Sequence, residues 1–195
     1  MPSIPTFPER SDYAHVLWLE SVRHLQDCYV LHAAARFPAS ISSAMKATEI
    51  AVKSLLVLDG AMAWWERLHG THTPFTDIER NPILKRHYVA LEGHDPDLPG
   101  RVKELERLAP SRPGSAGYDL LGDRTKQEAN PEYPFFTAKS DPATQTITAE
   151  LLRPASFFDA SASLDYCRVA HRFLSAIAAQ YPEIAAWSVD LPPIP

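Results

Sequence analysis

Three stretches of this chain repeat their apolar residues at the period of an α-helix, and that periodicity narrows the fold class before anything else does. In the first, Trp18, Val22, Leu25 and Tyr29 share one face. Ser11 or Asp12 can cap this helix, and Phe37-Pro38 closes it, because proline disfavours helical backbone in the residue before it. The second begins near Ala39. Ile41, Met45, Thr48, Val52 and Leu55 form its stripe, widened by Ala44, Ala51 and Leu58, with Lys46, Glu49 and Lys53 off its centre and Gly60 as a natural stop. The third runs from about Ala155 to Gln180 on Leu164, Val169, Phe173, Leu174 and Ile177, and Tyr181-Pro182 ends it. The reading is an all-α, antiparallel helical bundle in which helices 11–37, 39–59 and 155–180 pack together, burying Trp18, Leu25, Val52, Leu55 and Phe173.

The remaining segments are smaller. Gly70 to Pro82 reads as a connection, Ile83 to Glu92 as a short helix stopped at Gly93, and Arg101 to Leu108 as another with Val102, Leu105 and Leu108 facing inward. Residues 110–154 carry repeated proline and glycine and read as an irregular insertion before the last helix. Weak alternation from Thr137 to Ala149 allows a small hairpin there. The tail, 183–195, is apolar and proline-rich and reads as extended, docked by Trp187 and Leu191. With 195 residues, 45% of them apolar, the whole chain, 1–195, suits one domain with a core of its own.

Composition excludes several function classes. The formal net charge of -5 argues against nucleic-acid binding through bulk charge, so any such contact needs a local basic patch. No stretch approaches the ~18 uninterrupted apolar residues of a membrane span. The N-terminus has no apolar run behind a basic start, and Cys28 and Cys167 do not make a secreted disulfide framework. A cytoplasmic location follows as an expectation, with both cysteines reduced, buried and metal-free.

The second helix reads Ala44-Met45-Lys46-Ala47-Thr48-Glu49-Ile50-Ala51-Val52-Lys53-Ser54-Leu55-Leu56-Val57-Leu58-Asp59-Gly60. It resembles the second helix of HEPN domains, small helical bundles of prokaryotic toxin–antitoxin, antiviral-defence and RNA-processing systems. The resemblance lies in a Glu, a Lys four residues on, a double aliphatic and a closing Gly; Glu49 and Lys53 stand one turn apart and can pair. Tyr29 to Arg36 resembles the Ala-rich end of that family's first helix, and Asn130-Pro131-Glu132-Tyr133-Pro134 the Tyr-Pro segment before its last. The match covers about half the chain.

Many members of that family are metal-independent ribonucleases acting as dimers, with an Arg, four to six residues, then a His. The resemblance therefore implies RNA as substrate, a homodimer, an antitoxin or other protein partner and no cofactor; the lack of a long apolar run argues for no membrane. Three pairs fit the spacing: Arg10 with His15, Arg67 with His72, and Arg80 with His87. The last long helix, where the signature often lies in the family, offers only Arg168 and His171, which are too close together. Arg80 and His87 are the candidate catalytic pair, since Arg80, Lys85, Arg86 and His87 form the densest basic cluster in an acidic chain. Arg would stabilise phosphate charge and His would move protons near neutral pH.

Other readings compete. The same basic cluster suits an ordinary solvated helix face, and a non-catalytic interaction module would use the insertion and the aromatic groups Trp64-Trp65 and Tyr133-Pro134-Phe135-Phe136 as its partner surface. Each cysteine precedes a His by four residues, Cys28 with His32 and Cys167 with His171, so two facing helices could assemble a tetrahedral zinc site. His69, His72, His87 and His94 with Asp95 and Asp97 are a second metal candidate. The chain has no Gly-rich phosphate loop, nucleophile elbow or dinucleotide fingerprint.

Overall fold

A computed structural model describes residues 10–60, 75, 85–108, 131, 135–141, 143, 144, 146–187 and 190–193. In chain order these form α1 (Arg10–Ala33), α2 (Phe37–Leu58), α3 (Lys85–His94), α4 (Leu98–Arg107), β1 (Phe135–Asp141), β2 (Thr146–Leu152), α5 (Pro154–Phe157), α6 (Ala160–Gln180) and α7 (Pro182–Ala185). The architecture is helical, as the periodicity predicts. No helix among the described residues is long and apolar enough to cross a membrane.

Helices α1, α2 and α6 pack on one another, and α3 and α4 pack against α6. Trp18, Leu25, Val52, Leu55 and Phe173 all lie in the shared core. Phe75 joins them, edge-on to Phe173 at 5.5 Å and stacked with Tyr88 at 5.8 Å. Its backbone N–H donates to the Glu106 carboxylate at 2.7 Å, which satisfies a buried donor with a buried acid. Val102, Leu105 and Leu108 of the α4 segment are buried as expected. Ion pairs bind the outer helices to α6: Arg101 to Asp165, and Arg172, through Nε at 3.0 Å, to Asp95 beyond the end of α3.

Helix α2 is buried well beyond its predicted stripe. Lys53, expected off-centre, keeps only 9% of its side chain exposed, and its ammonium pairs with Glu49 one turn back. That pair is the price of placing a cation on a helix surrounded by other elements.

Several boundaries differ from expectation for local reasons. The first helix ends at Ala33, five residues before Pro38, because Ala35 takes a left-handed conformation at φ 55°. Arg36 then caps α2, whose second residue is Pro38, well tolerated in a first turn. Gly93 does not stop α3, which runs one residue further. The helix expected over 155–180 is broken at Phe158 and Asp159, both extended. Asp159 is an N-cap whose Oδ1 accepts from the Ala162 N–H at 2.8 Å, so α6 starts afresh.

The 110–154 insertion is only partly irregular. Strands β1 and β2 pair antiparallel from Phe135 with Leu152 to Asp141 with Thr146, longer than the small hairpin predicted over Thr137–Ala149. Its earlier part, 110–130, lies outside the described residues. The tail is not wholly extended: Tyr181 caps α6, and Pro182 opens a further helical turn, α7. Trp187 and Leu191 dock on the core as expected.

The cysteines correct a firmer expectation. Both are buried, but they are joined in a disulfide that staples α1 to α6 across 139 residues of sequence. Each sits on the inward face of its helix, and where the helices meet the two Cα atoms stand 6.2 Å apart, within disulfide reach. Sequence spacing carries no information about that meeting. The crosslink also removes the unpaired thiols on which the cytoplasmic expectation partly rested.

Candidate active site at the end of the second helix

Helix α2 ends on Asp59 and Gly60, and the site is built there. Gly60 has φ +75°, a conformation L side chains rarely adopt, and the Arg10 guanidinium lies over the place a Cβ would occupy. A Gly60→Ala substitution is therefore expected to cost about 1–2 kcal/mol, measured by urea denaturation; an unchanged midpoint would contradict this reading of the turn.

Asp59 stands at the negative end of the α2 dipole, an unfavourable place for a carboxylate unless cations meet it. Two residues of α3 meet it, the Arg86 cation and the His87 imidazole. Arg86 donates to Oδ1, and His87 Nε2 lies 3.1 Å from Oδ2. The other ring nitrogen of His87, Nδ1, is hydrogen-bonded to the Tyr181 hydroxyl from the end of α6. Because an ionised Asp59 only accepts, the His87 proton sits on Nε2, so Nδ1 accepts from the Tyr181 O–H. The result is a continuous chain, Tyr181 to His87 to Asp59, with Arg86 on the outer oxygen. His87 is 3% exposed, whereas the Arg86 side chain is 62% exposed. Asp59, Arg86, His87, Ala90, Gln180 and Tyr181 line an open cleft of about 310 Å³.

The electrostatics keep this chain in one protonation state. Burial pushes the His87 pKa down, and the bond to Asp59 only partly opposes it, so the ring is neutral at pH 7. Burial works against the Asp59 carboxylate, but bonds from Arg86 and His87 outweigh it and hold its pKa below the usual range. Burial raises the Tyr181 phenol to about 12, so it remains a proton donor.

These shifts have a consequence for stability. Burial also lowers His24 and His171. A group whose folded pKa is depressed binds fewer protons folded than unfolded. The stability it contributes is complete above its unfolded pKa and is lost as pH falls. The window for the three histidines opens at their ordinary value of 6.5, and Asp59 adds a second loss below 3.8. The urea midpoint is expected to be lower at pH 5 than at pH 7; an equal or higher midpoint at pH 5 would contradict the assignment.

Of the predicted pair, His87 lies at the centre of this site and Arg80 falls outside the described residues. The basic cluster divides: Arg86 faces the cleft edge, His87 is buried, and Lys85 is exposed. Arg10 packs at Gly60 while His15 stacks on Trp187 at 5.0 Å. Arg67, His72, Trp64 and Trp65 lie outside the described residues. The zinc reading fails at its thiolates, since Cys28 and Cys167 are bonded to each other. Among the described residues no group of three or more His, Cys, Asp or Glu is placed to hold a metal; of the second metal candidate, His69 and His72 lie outside them.

Asp59 and Tyr181 are missing from the sequence-based candidates. Asp59 had a usable signal: an acid at a helix C-terminus calls for a cation nearby. Tyr181 appears in sequence only as a helix terminator. No protein-family model, curated protein or solved structure matches the chain.

Proposed function

We propose that this chain is a HEPN-like, metal-independent ribonuclease that works as a homodimer in an RNA-processing, toxin–antitoxin or antiviral-defence setting. The observation that carries the reading is the hydrogen-bonded chain Asp59–His87–Tyr181 opening on a cleft beside the exposed Arg86. Cutting RNA without a metal needs a cation at the phosphate, a group that takes the 2′-hydroxyl proton and one that returns a proton to the leaving oxygen. Arg86 supplies the cation, and Arg80, predicted from the sequence, is the second candidate for that role. Tyr181 and His87 act as a relay: the Tyr181 oxygen takes the 2′-hydroxyl proton as its own passes to His87 Nδ1, and the imidazolium, held by Asp59, then returns a proton through Tyr181 to the leaving oxygen. One such chain handles one proton at a time, which gives a second subunit its role. The reading expects a cytoplasmic protein, with a protein antitoxin as its restraint.

A second reading is favoured by a specific observation: both nitrogens of the buried His87 are bonded, and Arg86 is already paired. In that reading the network pins α3 to the ends of α2 and α6, and the protein is a non-catalytic interaction module. Incubating a mixed labelled RNA pool with the protein in excess chelator separates the two. Cleavage supports the ribonuclease; an intact pool at micromolar protein supports the module.

A further inference from the structure

The crosslink between α1 and α6 has a polar lining that packing does not require. Ser40, from the first turn of α2, is fully buried against it. Its hydroxyl lies 3.2 Å from Cys167 Sγ and 3.6 Å from Cys28 Sγ, and it donates to the Cys28 carbonyl at 2.8 Å. Ser163, also fully buried, donates to Ser40 Oγ at 2.9 Å. With its proton committed to Ser40, Ser163 can only accept from His32, whose Nδ1 is 3.0 Å away. The direction is thus set along the whole chain. His32, half-buried at the end of α1, donates to Ser163, Ser163 to Ser40, and Ser40 stands against the sulfurs, closer to that of Cys167.

We propose that Cys28–Cys167 is a thiol–disulfide exchange centre that takes a small thiol as co-reactant, with Cys28 the sulfur attacked and Cys167 the sulfur that leaves. A thiolate attacks Cys28 Sγ. A bond forms between the two, the Cys28–Cys167 bond breaks, and its electron pair goes to Cys167 Sγ. A leaving thiolate departs faster when stabilised, and the Ser40 hydroxyl, 3.2 Å away, does that by turning its one proton from the Cys28 carbonyl to Cys167 Sγ. A proton then passes from His32 through Ser163 and Ser40 to Cys167, and His32 recovers one from solvent. A second thiol attacks the mixed disulfide on Cys28 and frees it. Two co-reactant thiols are oxidised to one disulfide while the protein disulfide is reduced to two thiols, and the protons the co-reactant thiols release to solvent balance those the cysteines gain. Both cysteines are fully buried, so the thiol enters through local opening where α1, α2 and α6 meet.

The test is to treat the native protein briefly with glutathione, quench with acid, alkylate free thiols, and locate the mixed disulfide by mass spectrometry. Glutathione is expected on Cys28 in roughly tenfold excess over Cys167, a partition that one hydrogen bond to a charged group supports. Ser40→Ala should bring the two sites close to parity. If that variant does not fold, Ser163→Ala, which removes the donor behind Ser40, should reduce the excess. An even partition in the native protein, an excess on Cys167, or no reaction without unfolding would each overturn the proposal.

Discussion

Replacing Cys28 and Cys167 together by alanine is expected to lower the free energy of unfolding by about 4 kcal/mol. The crosslink joins residues 139 apart, so it removes a large share of the freedom of the unfolded chain. The native state loses less, because α1, α2 and α6 also share the apolar core around Trp18, Leu25 and Phe173. Urea denaturation should show a lower midpoint and a steeper slope, since an uncrosslinked chain exposes more surface on unfolding. A loss below about 1 kcal/mol would mean that the staple constrains neither state appreciably. Reduction of the native protein should reproduce the loss, which gives exchange at this disulfide a physical effect on the junction of the first and last long helices.

Much of this fold is written in local pattern. The faces of α1, α2 and α6 are legible because a period of 3.6 residues forces Trp18, Leu25, Val52, Leu55 and Phe173 to one side of each helix. What local pattern cannot carry is which faces meet. The disulfide, the burial of Lys53 and the meeting of Asp59 with His87 and Tyr181 all depend on separate helices arriving together. The break at Phe158–Asp159 was open to reading, because Asp159 is a good N-cap residue with a helical pattern after it. His87 was found by chemistry, as the His in a basic cluster. Its two partners were not, since Asp59 closes one helix and Tyr181 follows another, 28 residues before it and 94 after it.

The second large effect concerns that network. Tyr181→Phe removes one oxygen and leaves the ring, so its stability cost should be about 1 kcal/mol, the worth of one hydrogen bond. If Tyr181 only holds α3 to the end of α6, nothing else should change. If it donates the proton to the leaving oxygen, RNA cleavage should fall by about 10²–10⁴-fold. His87→Ala should reduce cleavage at least as far, but it also leaves Asp59 without one of its two partners at a helix C-terminus, so its effect mixes chemistry with folding. The phenylalanine variant is the cleaner probe. The most direct measurement is therefore the single-turnover rate of RNA cleavage in excess chelator by the native protein and by Tyr181→Phe, each with its unfolding free energy determined in the same buffer. The ribonuclease reading predicts measurable cleavage by the native protein, and a loss of at least about a hundredfold in a variant that stays folded. No cleavage by the native protein, or equal cleavage by both, would contradict it.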